Sequence, residues 1–297
     1  MASSDPWADK NLIFVGGMHR SGTTILADIL SSADDAAGLD GSGAHMGEGQ
    51  FLQDVYPVDN SFGGVTRWAF DPRTHMTEVD AQPDMARRLW DAWSPWWGDD
   101  AQFLVEKSPL NIVRTRFLAE VFPQAKFVIV TRHPIAQSLA VHKWARTVRE
   151  RAGDQFSRLV ELWLAAHRTA QRDIDRLDNV RVVRFEHLVT QPRGELDRLS
   201  EFLGVRLGDE AVSRLDAGVL EHYATIWDRA RRGRGMRYPG RGLRTLRRRA
   251  ISTVTFPYEA RLIEKQAEAV AQFGYDIHDL RSARTWADAT STNGTRQ

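Results

Sequence analysis

After the apolar run from Leu12 the chain reads Gly16-Gly17-Met18-His19-Arg20-Ser21-Gly22-Thr23-Thr24 and then becomes helical. A strand, a glycine-rich turn and a helix N-terminus in that order aim backbone N–H groups and a positive dipole end at an anion. Gly17 and Gly22 have the spacing of the two P-loop glycines, but Thr23 stands where a nucleotide triphosphatase needs its lysine. That substitution argues against ATP or GTP hydrolysis. The positive charge sits instead at Arg20, whose planar fork suits an oxyanion. A structural turn would account for the glycines, though not for Arg-Ser and Thr-Thr at a helix start. A second anion signal lies between Asp228 and Glu259, where ten arginines occur with no acidic residue. Its alternative is a solvated surface run. Nothing in the sequence places His142, His167, His187 or His222 near the loop, so these read as structural or surface residues.

Positioning such a loop requires a buried sheet. Four β-branched or apolar runs, Leu12 to Gly16, Phe103 to Glu106, Lys126 to Thr131 and Val180 to Phe185, read as strands covered on both faces. Helical sequence follows each, over Thr23 to Ser31, Pro109 to Val121, Pro134 to Arg149 and Pro192 to Leu203. The alternation predicts an α/β fold, a P-loop-like three-layer domain with a central parallel sheet flanked by helices. Ligands of such sheets bind beyond the strand C-termini. Residues 34 to 80 form a Gly-, Asp- and Pro-rich excursion of the kind that covers a site. Next come Trp90, Trp93, Trp96 and Trp97, with Leu89, Trp93 and Trp96 at helical spacing. They read as core, or as an acceptor-binding wall. Amphipathic helices are expected over Phe156 to Asp175 and Tyr258 to Phe273. The expected organisation is a disordered arm over residues 1–10, one domain over 11–281 and a disordered tail over 282–297.

A chain of 297 residues with 42% hydrophobic content buries a large core. There is no cysteine, which excludes disulfides, thiolate metal sites and cysteine nucleophiles. With no signal-peptide pattern and no run of 18 apolar residues, the expectation is a soluble, cytoplasmic protein without a membrane span. Only five of the 40 basic residues are lysine, so each lysine draws notice.

Phe14 to Leu26 (FVGGMHRSGTTIL) resembles the 5′-phosphosulfate loop of sulfotransferases that use 3′-phosphoadenosine 5′-phosphosulfate (PAPS), especially the Arg-Ser-Gly-Thr-Thr branch that includes tyrosylprotein and many bacterial sulfotransferases. Val105-Glu106-Lys107-Ser108-Pro109 agrees with that family, and Phe127 to Leu139 (FVIVTRHPIAQSL) is similar to its 3′-phosphate strand-loop-helix. Val182 to Pro192 and Phe273-Gly274-Tyr275 resemble its later strand and closing helix end, so the resemblance covers residues 11 to 276.

The resemblance implies a metal-independent, in-line transfer of the sulfuryl group from PAPS to a hydroxyl of a small-molecule or glycan acceptor, leaving 3′-phosphoadenosine 5′-phosphate (PAP). Gly17, His19, Arg20, Ser21, Gly22, Thr23 and Thr24 would form the 5′ loop, with Arg20 also acting on the reacting group. Lys107 matches the lysine that stabilises the transferring group, and Arg132 matches the 3′-phosphate ligand. The family's serine, eight residues after that arginine, is here Ala140, and Ser138 is the nearest substitute. Arg231, Arg232, Gly233 and Arg234 loosely resemble the basic loop that closes over the nucleotide. For the base, Glu48 fits the position of the branch's glutamate after the first helix, with His45 as its rival. The oligomeric state stays open, a homodimer included. A P-loop small-molecule kinase is a competing reading, but it lacks the Walker lysine. A nucleic-acid-binding module built on the 229–249 arginines has Tyr238 alone for stacking, so no nucleic-acid partner is expected.

Overall fold

Alternate residues of the central strands feed two separate cores. Leu12, Phe14, Leu104 and Phe127 face one, and Ile13, Val15, Val105, Val128, Val130 and Val183 face the other. The computed structural model describes residues 5–147, 156–208, 210–234 and 255–284. They fall into two compact units, Met1–Thr131 with Ala165–Leu215, and Arg132–Leu164 with Asp216–Gln297.

The first unit holds the whole sheet: β1 (Asn11–Gly17), β2 (Ala36–Ala37), β3 (Phe103–Lys107), β4 (Lys126–Thr131) and β5 (Val180–Arg184). All pair in parallel in the order β2-β3-β1-β4-β5. On one face lie α1 (Thr23–Ser31), through Leu26, Ile29 and Leu30, and a later helix (Pro192–Leu203), through Leu196, Leu199 and Leu203. The opposite face is covered by α2 (Met85–Trp97), through Leu89, Trp93 and Trp97, and α3 (Thr115–Val121), through Phe117, Leu118 and Val121. Each such side chain taken from water is worth ~1.5–3 kcal/mol, so the three-layer arrangement follows from the strand sequences themselves. In register, Val15 lies opposite Lys107 on one side and Val128 on the other. The C-terminal ends of β1, β3 and β4 therefore share one sheet edge.

Several elements depart from the sequence reading. The helix expected over Pro109 to Val121 divides into a 3₁₀ turn, Pro109–Val113, and α3, with a non-helical Arg114 between them. Asn111 explains the break, because its amide is tied to the Val15 carbonyl and to Glu106 at the sheet edge. The close approach needs Gly16, where a Cβ would lie 2.6 Å from the Ile112 nitrogen. Strand β5 stops at Arg184, and Phe185 begins a short helix, Phe185–Thr190, that the sequence reading lacks. The 34–80 excursion contributes the edge strand β2 and a series of short 3₁₀ turns. In α2 the buried tryptophans are Trp93 and Trp97, whereas Trp96 is 45% exposed. Residues 5–10, expected as part of a disordered arm, form turns, with the Trp7 ring against Trp90 and Phe122. Lys10 Nζ donates to the carbonyls of Asp99 and Ala101.

The second unit is helical. It contains α4 (Pro134–Thr147), the first part of α5 (Phe156–Ile174), and Gly218–Arg231, residues 255–264 and Ala267–Ala271. The helix expected over Tyr258 to Phe273 is thus interrupted at residues 265–266. Trp163 stacks edge-on against Phe273 and Tyr275, and Trp227 Nε1 donates to the Ile277 carbonyl at 2.7 Å. Residues 282–284 turn back so that the Arg284 N–H meets the Gly274 carbonyl. The rest of the expected tail, and the arginine segment from residue 235 onward, lie outside the described residues. Among the described residues no helix is long and apolar enough to cross a membrane.

Candidate active site

The loop after β1 is built to meet an anion. Gly22 caps α1 in a left-handed conformation (φ 107°), and no side chain caps the helix or places an acid in its first turn. The helix N-terminus therefore keeps its unpaired N–H groups and positive dipole end. A Cβ on Gly22 would fall 2.5 Å from the Phe185 ring. Arg20 is also left-handed, at φ 68°, with an exposed side chain. Ser21 is fully buried, and its hydroxyl has no hydrogen-bond partner among the described residues. A buried hydroxyl left unmatched costs ~1–3 kcal/mol, a cost removed when a ligand supplies the acceptor. Thr23 is buried and Thr24 half-buried behind it.

His19, in the same loop, has Nε2 3.2 Å from Asp59 Oδ2 and its ring beside Trp68. Burial pushes the Asp59 carboxyl up, but the His19 hydrogen bond and charge and the Asn60 N–H outweigh it and hold the group below the usual carboxylate range. Asp59 thus stays ionised and fixes the imidazole against the loop.

Lys107 ends β3, one register step from the loop strand. Its side chain is buried; Nζ donates to the Met46 carbonyl and lies 3.5 Å from Glu48 Oε1. Glu48 reaches it because residues 45–48 turn tightly and Glu48 forms a parallel bridge with Lys107. Met46 takes a left-handed conformation (φ 56°) to make that turn, a conformation that costs a non-glycine residue ~1–3 kcal/mol. The second Glu48 oxygen, Oε2, accepts from Gln50 Nε2 at 2.6 Å. His45, the rival base, is exposed, with its ring edge-on to Phe51.

A family model described as the sulfotransferase family matches residues 12–209, well over half of the chain. The chain belongs to the sulfotransferase family. It is 30% identical over 115 residues to omega-hydroxy-beta-dihydromenaquinone-9 sulfotransferase Stf3 of Mycobacterium bovis, a match covering 36% of this chain and 29% of that protein. It is 23% identical over 208 residues to protein-tyrosine sulfotransferase 1 of Danio rerio, covering 68% of this chain and 55% of that one. The chain thus spans less than two thirds of the length of either relative. Among solved structures, sulfotransferase STF9 from Mycobacterium avium aligns with a TM-score of 0.48 at 14% identity, over 88% of this chain and 76% of that one.

In this sulfotransferase-family chain a second carboxylate lies under the Lys107–Glu48 pair. Glu106 is fully buried; its Oε1 accepts from Ser108 Oγ and its Oε2 from Asn111 Nδ2, each at 2.6 Å. Burial outweighs these bonds and the nearby Lys107 charge, and pushes the carboxyl up to about 7. A carboxyl whose folded value is raised contributes stability that is complete below its unfolded value and is lost as pH rises through the folded one. Glu106→Gln should remove a pH dependence on the order of 3 kcal/mol between pH 4.5 and 7. Thermal unfolding checks this: the wild type should lose stability relative to the variant across that window, and parallel curves would refute it.

The remaining sequence candidates belong to the second unit. Arg132 is buried, with its guanidinium 4.9 Å from the Tyr223 ring centre and its carbonyl accepting from Trp163 Nε1. Ser138 is fully buried on α4, and its hydroxyl has no partner among the described residues. Arg231 ends a helix 3.8 Å from Glu264. Arg232, Gly233 and Arg234 follow it on the surface.

His167 is a satisfied core histidine in the first unit, 2.9 Å from the Thr131 hydroxyl. Sequence reasoning assigned no part to Gln50, Asp59 or Asn111. Glu106, within the apolar run Phe103-Leu104-Val105, did carry a signal, since a charge inside a buried strand demands partners.

Proposed function

We propose that this chain transfers the sulfuryl group of PAPS to a hydroxyl of an acceptor. The observation that carries the reading is the buried, unmatched Ser21 hydroxyl at an uncapped helix N-terminus, on the same sheet edge as the buried Lys107–Glu48 pair. These residues fit a phosphosulfate: the loop amides, Arg20, Ser21, Thr23 and Thr24 are donors, and Gly17 and Gly22 leave room for the loop to close. Bound PAPS supplies an activated sulfuryl group with PAP as its leaving product. Lys107 meets negative charge where it develops, a stabilisation that a dry, preorganised site makes large. Glu48 takes the acceptor's proton at Oε1, the oxygen that Gln50 leaves unbound.

Arg132 and Ser138 are read as ligands of the 3′-phosphate, and Arg231, Arg232, Gly233 and Arg234 as a further basic contribution. The names of the relatives, one acting on an omega-hydroxy quinone and one on protein tyrosine, support a hydroxyl acceptor on a small molecule or a larger one.

Calorimetry tests the reading. PAP should bind in EDTA, and ATP, which lacks a 3′-phosphate, at least tenfold more weakly, because a lost charged contact in a dry site costs ~2–5 kcal/mol. Equal affinities, or a strict requirement for Mg²⁺, would sink it in favour of a kinase.

A further inference from the structure

Gln50 carries neither charge nor nucleophile, yet it is fully buried and both ends of its side-chain amide are engaged. Nε2 donates to Glu48 Oε2 at 2.6 Å, and Oε1 accepts the Asp59 backbone N–H at 3.3 Å. The Gln50 backbone N–H donates to Ser108 Oγ, and that hydroxyl donates onward to Glu106. The Gln50 carbonyl accepts from Gln53 Nε2. The direction of the side-chain amide follows from its partners. A backbone N–H can only donate, so the atom facing Asp59 is the oxygen and the one facing Glu48 is the nitrogen. An ionised carboxylate can only accept, which matches the other end.

We infer that Gln50 is a positioning residue for Glu48: its amide clamps Oε2 of the ionised carboxylate and leaves Oε1, beside Lys107, as the atom that takes the proton. The inference rests on reading Glu48 as the base. Among the described residues, the charged and titratable groups around Glu48 are Lys107 and Glu106 from β3, Asp59 beyond Gln50 and paired with His19, His45 on the same turn, Asp40 against Gly47, and Asp28, whose charge meets those of Asp40 and Lys107. Packing alone would need only a side chain of Gln50's size. A clamp needs a donor at the Glu48 end.

Gln50→Glu keeps the size and replaces the donor with an acceptor. Two carboxylates at hydrogen-bond distance must share a proton, and the pair then titrates above the ordinary range. The penalty is small while that proton is held and grows as pH rises and removes it. The melting temperature of Gln50→Glu should therefore fall below wild type by roughly 4 °C or more beyond its deficit at pH 5 when measured at pH 8. The exchange variant Glu48→Gln/Gln50→Glu restores one carboxylate facing one amide, and should recover at least half of that pH-dependent loss.

In the hydrolysis of PAPS to PAP and sulfate, with water as the acceptor, the acid limb of the Gln50→Glu rate profile should move up by about one pH unit or more, while PAP affinity by calorimetry stays within threefold. An equal deficit at pH 5 and pH 8, an exchange variant no more stable than Gln50→Glu, or an unmoved acid limb would each overturn the clamp. The melts are decided whether or not the wild type binds PAP. Failure of the sulfotransferase reading would thus show in calorimetry, apart from failure of the clamp.

Discussion

Glu48→Gln should lower the rate at which PAPS is hydrolysed to PAP and sulfate, with water as the accepting hydroxyl, by ~10²-fold or more while leaving PAP affinity within threefold. A free hydroxyl is a poor nucleophile at neutral pH, and a positioned base is what makes it competent. Glu48 is buried, held through one oxygen by Gln50 and set 3.5 Å from Lys107 by the other. The glutamine keeps the shape and the contact to residue 50 but cannot take a proton. Turnover falling without loss of nucleotide affinity is the pattern of an interaction made only in the transition state. His45→Ala is the control, because that side chain is exposed against Phe51. Normal turnover by Glu48→Gln together with an inactive His45→Ala would move the base to His45.

Lys107→Met should cost ~10²–10³-fold in turnover, the scale of removing one preorganised donor from developing negative charge. It should also destabilise the protein, since Glu48 would remain as a buried carboxylate without its cation, an arrangement worth ~3–5 kcal/mol when one partner of a buried pair is removed. The two effects separate in the double variant. Glu48→Gln/Lys107→Met should melt higher than Lys107→Met while staying inactive. If the double variant melts no higher, the pair is not coupled in the folded protein. If Lys107→Met turns over normally, Lys107 has no part in the chemistry.

The sheet was legible because parallel strands buried on both faces leave continuous apolar runs, and β1, β3 and β4 lie where those runs are. The loop was legible for a related reason: glycines, an arginine and hydroxyls between a strand and a helix form a local pattern. Lys107 drew notice through its scarcity, and Glu48 only through the family resemblance. What binds the two together was not legible. The Glu48–Lys107 contact, the Gln50–Ser108 bond and the Asn111–Val15 bond each join residues far apart in sequence. Amide side chains such as Gln50 and Asn111 leave no periodicity, and their importance lies in which atoms they meet. The break at Arg114 escaped for the same reason, because a tertiary bond from Asn111 overrides the helical tendency of the stretch. Trp96 and Trp97 exchanged places because the helical face drawn through Leu89 and Trp93 lies one residue further along.

Strand β1 sits at the centre of the sheet, with β3 and β4 as its neighbours, although it precedes the sheet's other four strands in sequence. Its first partner, beginning at Phe103, is not synthesised until about ninety residues later, a delay on the order of 10 s at translation rates of ~5–20 residues per second. During that interval the apolar strand and the loop that follows it have no sheet to join. The Lys107 end of β3 arrives last in that pairing, so the anion loop and the Glu48 turn acquire their shared edge in a single late event. A nascent chain stalled before residue 103 should therefore present an unpaired hydrophobic strand to chaperones.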